Sequence, residues 1–153
     1  MNIGTGPVYC HQGNFSRLAK TESINFLKQG FCPPHGGGVR IYHDQALFKE
    51  PGGGITPWHQ DEYYWPLDTD NTVTMWMPLV DVPPEVGSMI FGSGTHLLGS
   101  LCELSISDES DAALQRYVEE SSVVLDTHGG LRAGDATFHA GWTLHRAGGN
   151  PTA

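Results

Sequence analysis

Basic residues are scarce in this chain. Eight Lys and Arg stand against 17 Asp and Glu, a formal net charge of −9 over 153 residues, and the cations are scattered. A surface of that sign repels phosphate backbones and anionic lipid, so no nucleic-acid and no membrane partner is expected. Polyphosphorylated substrates are disfavoured on the same ground. Cysteine is also sparse: Cys10, Cys32 and Cys102 are odd in number, far apart and without CxxC spacing. That argues against a disulfide framework and for a reducing compartment. No apolar run approaches the ~20 residues of a membrane helix. The opening "MNIGTGPVYCHQGNFSR" lacks the charged-then-apolar order of a signal peptide. The expectation is a soluble, cytoplasmic protein.

Glycine and proline are plentiful, 20 and 10 respectively, which suits short strands joined by many turns better than a helical bundle. Residues 1–14 show no periodicity and read as irregular, 15–30 as a possible helix ending at Gly30, and "FCPPHGGG" (31–38) as a breaker. From Val39 strand signals recur at 39–48, 55–61, 72–82, 88–94, 121–126 and 135–145. In "TVTMWMPLVDV" the apolar Val73, Met75, Met77 and Leu79 alternate with Thr74, Trp76 and Pro78. The convincing helix is "DESDAALQRYVEE" (108–120), with Ser110 as a possible cap and Ala113, Leu114, Tyr117 and Val118 as its apolar stripe. Strands at this spacing with little intervening helix predict a mainly β fold of sandwich or jelly-roll type with one or two helices.

Eight histidines stand in the chain, and any one of them is more often a surface or core residue than a ligand. The combination His59-Gln60-Asp61 is different. On an extended strand, residues two apart project to the same side, so imidazole and carboxylate converge while Gln60 faces away. One further histidine from another strand completes a 2-His-1-carboxylate set, the arrangement of non-haem Fe(II) oxygenases. "GDATFHAGWTLHRAGGN" (134–150) offers two, His139 and His145. Both sit near aromatic residues, Phe138 and Trp142. They are six apart, with Gly141 between them as a possible break in register, and spacing does not choose between them.

Four segments in this order carry a resemblance: "HQD" (59–61), "TMWMPL" (74–79), "GSMIFGSGTH" (87–96) and "GDATFHAGWTLHRAGGN" (134–150). Together they resemble the phytanoyl-CoA dioxygenase family, Fe(II)- and 2-oxoglutarate-dependent oxygenases built on a double-stranded β-helix, a cupin-like jelly roll. The resemblance covers residues 39–153 as one domain and leaves 1–38 as a poorly matched N-terminal segment. It implies that His145, in "HRAGGN", joins His59 and Asp61 as a metal ligand. It also implies that Gln60 and Trp76 lie around the cosubstrate. His139 becomes a candidate for supporting a ligand or facing the substrate. Trp58, Tyr63, Tyr64, Trp65 and Trp142 are candidates for walling the site, with Gly52–Gly54 and Pro57 shaping the turn into it. His96 closes a motif that is equally well explained as a structural loop.

The implied reaction takes 2-oxoglutarate and O2, releases succinate and carbon dioxide, and hydroxylates a small organic substrate. The family's cosubstrate-binding arginine, placed shortly beyond the distal histidine, has no counterpart, because the sequence stops at "RAGGNPTA". Arg146 adjoins the ligand and strand alternation turns it to the other face. The chain is therefore expected to be truncated at the C-terminus and at the N-terminus, with an incomplete barrel and weakened 2-oxoglutarate binding. A non-catalytic metal- or small-molecule-binding jelly roll is the competing reading. A cupin-like enzyme that dispenses with 2-oxoglutarate ranks below it, because no HxH pair is present.

Overall fold

The computed structural model describes Val8–Gln12 and residues 39–153. The helix expected over 15–30 lies outside them. Among the described residues, eight strands form two four-stranded sheets. The first holds β2 (Val39–Asp44), β1 (Val8–Gln12), β4 (Thr72–Trp76) and β7 (Thr137–Ala140), in that order. The second holds β3 (Thr56–His59), β8 (His145–Ala147), β5 (Met89–Gly92) and β6 (Leu125–Thr127). Its pairs are antiparallel throughout, whereas β1 runs parallel to both β2 and β4. The fold is mainly β with one α-helix among the described residues.

Several strands differ from the sequence-based expectation. Residues 8–12 were expected to be irregular but form a strand. A strand bonded along both edges satisfies its backbone groups without any side-chain period to betray it. The segment 72–82 is strand only to Trp76, followed by a lone bridge between Val82 and Leu131. The late segment 135–145 is not one strand: it divides into β7 and β8, which belong to different sheets.

The divide falls at Gly141 for a steric reason. A Cβ there would land on the Glu62 carboxylate and the Thr72 hydroxyl, and 3.1 Å from Trp65 Cζ3. The chain turns at a point where only glycine lets the Gly141 backbone approach a buried acid.

Helix α1 (Asp108–Glu120) spans the residues expected of it, but its cap is Ser107 rather than Ser110. Ser107 Oγ accepts from the Ser110 N–H at 3.1 Å, and Ser110 Oγ accepts from the Ser107 N–H at 2.9 Å. This reciprocal capping box satisfies two otherwise orphaned donors, and Asp108, Glu109 and Asp111 favour the positive end of the helix. Leu114 and Val118 pack on Trp58 and Leu144, with Tyr117 partly buried against them, while Ala113 faces solvent. The helix thereby covers the outer face of the second sheet. The inner face of that sheet meets the first sheet, and the candidate site lies between them.

Candidate metal centre

Extended backbone carries His59 and Asp61 to one place. Strand β3 ends at His59, Gln60 remains extended (φ −124°, ψ 126°), and Asp61 opens a short 3₁₀ helix, Asp61–Tyr64. Strand β8 pairs with β3 so that His145 stands directly across from His59. Candidate ligand atoms of His59, Asp61 and His145 all lie within 4.8 Å of one another. Asp61 Oδ1 is 3.6 Å from His59 Nε2 and 3.7 Å from His145 Nε2.

The far nitrogens of the two rings determine what the near ones offer. His59 Nδ1 is 2.8 Å from the Pro57 carbonyl and His145 Nδ1 is 2.9 Å from the Thr143 carbonyl. A carbonyl only accepts, so each Nδ1 carries the proton and each Nε2 presents a lone pair. Burial, and then His139, push His145 down to about 3 against the pull of Asp61, so its ring is uncharged at neutral pH. Burial alone would raise the Asp61 carboxyl, but His145, His139 and the Thr74 hydroxyl outweigh it. They hold the group well below the usual carboxylate range. Two lone pairs and a carboxylate oxygen thus converge with no donor among them. Such a set repels itself and fits a divalent cation.

The second Asp61 oxygen is braced from the opposite sheet. Thr74 Oγ1 donates to Asp61 Oδ2 at 2.6 Å, and His139 Nε2 lies 3.2 Å from the same oxygen. Thr74 and His139 are cross-strand partners on β4 and β7. The two late histidines thus meet different oxygens: His145 faces Asp61 Oδ1 together with His59, and His139 lies against Oδ2. Thr74 was missed by the sequence reading, although the alternation of "TVTMW" placed it on the polar face of its strand.

The next acid supports the turn. The Glu62 N–H donates to the Gly141 carbonyl at 3.0 Å, and its buried carboxylate accepts from the Thr72 hydroxyl. Burial raises the Glu62 carboxyl above the usual range, and Asp70 and Asp61 add to that against the Thr72 bond.

Gln60, expected around the cosubstrate, is committed elsewhere. Its Nε2 donates to the carbonyls of Gly99 at 2.8 Å and Trp142 at 2.7 Å, and its Oε1 accepts from the Leu101 N–H at 2.8 Å. Strand alternation, which turned Gln60 away from the site, holds. Trp76 lies on the same strand face as Thr74, one repeat further along, and stacks on His128 with centroids 5.7 Å apart. His128 Nε2 accepts from the Met89 N–H at 3.1 Å, so in the neutral ring Nδ1 carries the proton. That Nδ1, and Oγ1 of Thr137 across from Trp76, are buried without a hydrogen-bond partner.

The aromatic wall was placed too generously. Trp58 is on the outer face of the second sheet, 1% exposed, with Nε1 donating to Gln115 Oε1 at 2.8 Å. Arg146 lies over its ring at 5.5 Å, on the face opposite His145, as alternation requires. Trp142 Nε1 donates to Asp70 at 2.8 Å and Tyr63 Oη donates to the Glu103 carbonyl at 2.9 Å. Trp65 packs edge-on near Tyr42 and His43. Phe91 is an aromatic ring that does lie against these histidines, 5.3 Å from His139 and 6.2 Å from His145 by centroid. The glycine run has a different task from shaping the turn alone. Gly52 N–H donates to the Asn150 carbonyl at 2.9 Å, and the Asn150 N–H donates to the Gly53 carbonyl at 2.8 Å. It binds the segment following β8 to the segment preceding β3, and so keeps His59 and His145 in register.

A sequence model of the phytanoyl-CoA dioxygenase family matches residues 11–153, beginning upstream of Val39. The chain is 27% identical over 146 residues to a probable alpha-ketoglutarate-dependent hypophosphite dioxygenase of Stutzerimonas stutzeri, covering 87% of this chain and 46% of that protein. Among solved structures it is similar to SnoK, a non-heme alpha ketoglutarate-dependent carbocyclase from nogalamycin biosynthesis. That likeness has a TM-score of 0.55 at 29% identity, over 68% of this chain and 42% of SnoK. The chain spans less than half the length of either relative. No helix among the described residues is long and apolar enough to cross a membrane.

Proposed function

The chain belongs to the phytanoyl-CoA dioxygenase family, and from that premise we propose that it is the core of an Fe(II)- and 2-oxoglutarate-dependent dioxygenase. Its two sheets form the family's double-stranded β-helix, and it hydroxylates a small organic molecule. His59, Asp61 and His145 hold the metal. When bound, Fe(II) with 2-oxoglutarate supplies the oxidation by O2 that yields succinate and carbon dioxide and leaves one oxygen atom on the substrate.

The residues of this chain do the preparing. The Pro57 and Thr143 carbonyls hold both imidazoles in the tautomer that offers Nε2, and Thr74 and His139 fix Asp61 so that Oδ1 alone faces the two rings. His59, Asp61 and His145 would supply three ligands, and a metal held by such a set would have positions left for cosubstrate and oxygen. Trp76 walls the cosubstrate, and the unpaired Thr137 hydroxyl and His128 Nδ1–H beside it are donors suited to a carboxylate. Phe91 keeps bulk water from the histidine pair. Gln60 acts at one remove by tying the ligand-bearing turn to the loop at Gly99–Leu101.

The observation that carries this reading is the convergence of two Nε2 lone pairs and Asp61 Oδ1 without a donor among them. Anaerobic titration with Fe(II) and 2-oxoglutarate tests it through the visible charge-transfer band of the metal–cosubstrate chelate. A band that forms in the parent and is lost in His59→Ala supports the assignment. Iron binding that survives His59→Ala, Asp61→Ala and His145→Ala together would sink it. Iron binding to this set with no band would leave a metal-binding jelly roll without cosubstrate.

A further inference from the structure

The ladder of β3 on β8 is interrupted just where it places a ligand. Thr56 stands opposite Ala147 and His59 opposite His145, so Pro57 and Trp58 together face Arg146 alone, a β-bulge. Neither bulge residue donates to β8: proline has no N–H, and the Trp58 N–H donates to Asp111 Oδ1 at 2.7 Å. The Pro57 carbonyl is also the acceptor that holds the His59 Nδ1 proton. Position and tautomer of His59 therefore depend on what fixes the bulge, and the backbone ladder supplies little of it.

A side chain from outside both strands supplies more. Lys49 Nζ donates to the Gly148 carbonyl, just beyond β8, at 2.5 Å, and to Thr56 Oγ1, at the start of β3, at 3.3 Å. One ammonium thus spans the two strands at the far end of the bulge. The backbone of Lys49 is held as well, its carbonyl accepting from Nδ2 of the buried Asn150 at 2.8 Å. Two glycines keep a passage open for the stem: a Cβ on Gly53 would stand 3.2 Å from Lys49 Cγ, and one on Gly87 3.2 Å from Cδ. Burial pulls the ammonium below its ordinary range, as for a lysine withdrawn from water. A charged donor holds a carbonyl more strongly than a neutral one does.

Resting on the oxygenase reading above, we propose that Lys49 is a positioning residue of the metal centre. By tying Thr56 to Gly148 it fixes the bulge at Pro57 and Trp58, and so holds His59 Nε2 toward His145 and Asp61. Without the tie β3 is free to lose the bulge. With Thr56 still opposite Ala147, Trp58 would then stand opposite His145, and His59 would turn to the other face. Lys49 touches no ligand and acts through register alone.

Lys49→Met keeps the stem and removes the donors, whereas Lys49→Arg keeps donors in place. Both are read on the whole chain. In the metal-free chain at mildly alkaline pH, two-bond proton–nitrogen NMR reports the His59 tautomer. It is expected to be Nδ1–H in the parent and in Lys49→Arg, and a mixture in Lys49→Met. Co(II) then serves as an air-stable probe of the three ligands. Lys49→Met is expected to weaken its binding about tenfold, the lower end of what outer hydrogen bonds confer, and to alter its visible spectrum. Lys49→Arg is expected to stay close to the parent in both. Ring signals and spectrum that hold in a folded Lys49→Met, whether or not the urea midpoint falls, overturn the inference, and so does an equal loss in Lys49→Arg. If Lys49→Met does not fold, Thr56→Val removes one arm of the tie and is expected to move both readouts in the same direction; no movement there overturns the inference as well. Co(II) binding in the parent no tighter than in His59→Ala counts against the oxygenase reading alone, because the ring signal still reads the tie without metal.

Discussion

Thr74 is the most informative residue to change, because it touches the metal site only through Asp61. Its hydroxyl donates to Asp61 Oδ2 at 2.6 Å, while the other brace, His139 Nε2, is at 3.2 Å. The shorter bond, made to an ionised acceptor, is the stronger of the two. Thr74→Val keeps the shape of the side chain, which is 7% exposed as a residue, and removes only the donor. Hydrogen bonds to charged groups contribute about 1.5–3 kcal/mol. Without the bond the carboxylate turns more freely about its last torsion, and Oδ1 leaves the point where it faces both Nε2 atoms. Outer hydrogen bonds of this kind are worth about 10–100-fold in metal affinity, or about 1.4–2.7 kcal/mol. The assay is competition for Fe(II), or Co(II) as an air-stable substitute, against a chelator of known affinity, with urea unfolding in parallel. Thr74→Ser keeps a hydroxyl and is expected within a few-fold of the parent. Unchanged affinity in a folded Thr74→Val, or equal loss in the serine variant, would refute the reasoning.

Three other perturbations follow from the geometry. Gly141→Ala forces a methyl group onto the Glu62 carboxylate and Thr72 hydroxyl, and overpacking plus the disturbed hydrogen bond should cost about 2–4 kcal/mol, read as a lowered urea midpoint. His145 is pushed down to about 3 in the fold, so the folded metal-free chain binds fewer protons than the unfolded one between that value and about 6.5. Stability should accordingly be full above about pH 6.5 and fall with acidification, by up to about 2 kcal/mol at about pH 5. His145→Gln should flatten that dependence, and an unchanged slope would show that another group titrates. Trp76→Ala and Thr137→Val should each weaken 2-oxoglutarate binding while leaving Fe(II) affinity near that of the parent, a split that calorimetry resolves.

The parts of the site that could be read from the sequence are those set by local backbone. His59 and Asp61 converge because Gln60 stays extended, which a three-residue pattern already implies, and the same alternation turns Gln60 and Arg146 away. The parts that could not be read are set by partners distant in the chain. Nothing within "FHAGWTLH" says that β7 ends and β8 begins in the other sheet. That break depends on Glu62 and Thr72 occupying the space beside Gly141. Aromatic residues misled for the same reason. Trp58 and Trp142 are near the ligands in sequence, yet one lies beneath the helix and the other binds Asp70, whereas Phe91 enters through strand pairing. The row from His59 through His145 and Phe91 to Asp126 is a product of register across four strands. A slip of one residue in β6 would turn Asp126 to the other face and bring Leu125 or Thr127 into this row. The His59–Asp61 pair is therefore specified by short-range sequence, while the residues that complete and brace it, His145, Thr74 and His139, are brought there by long-range pairing.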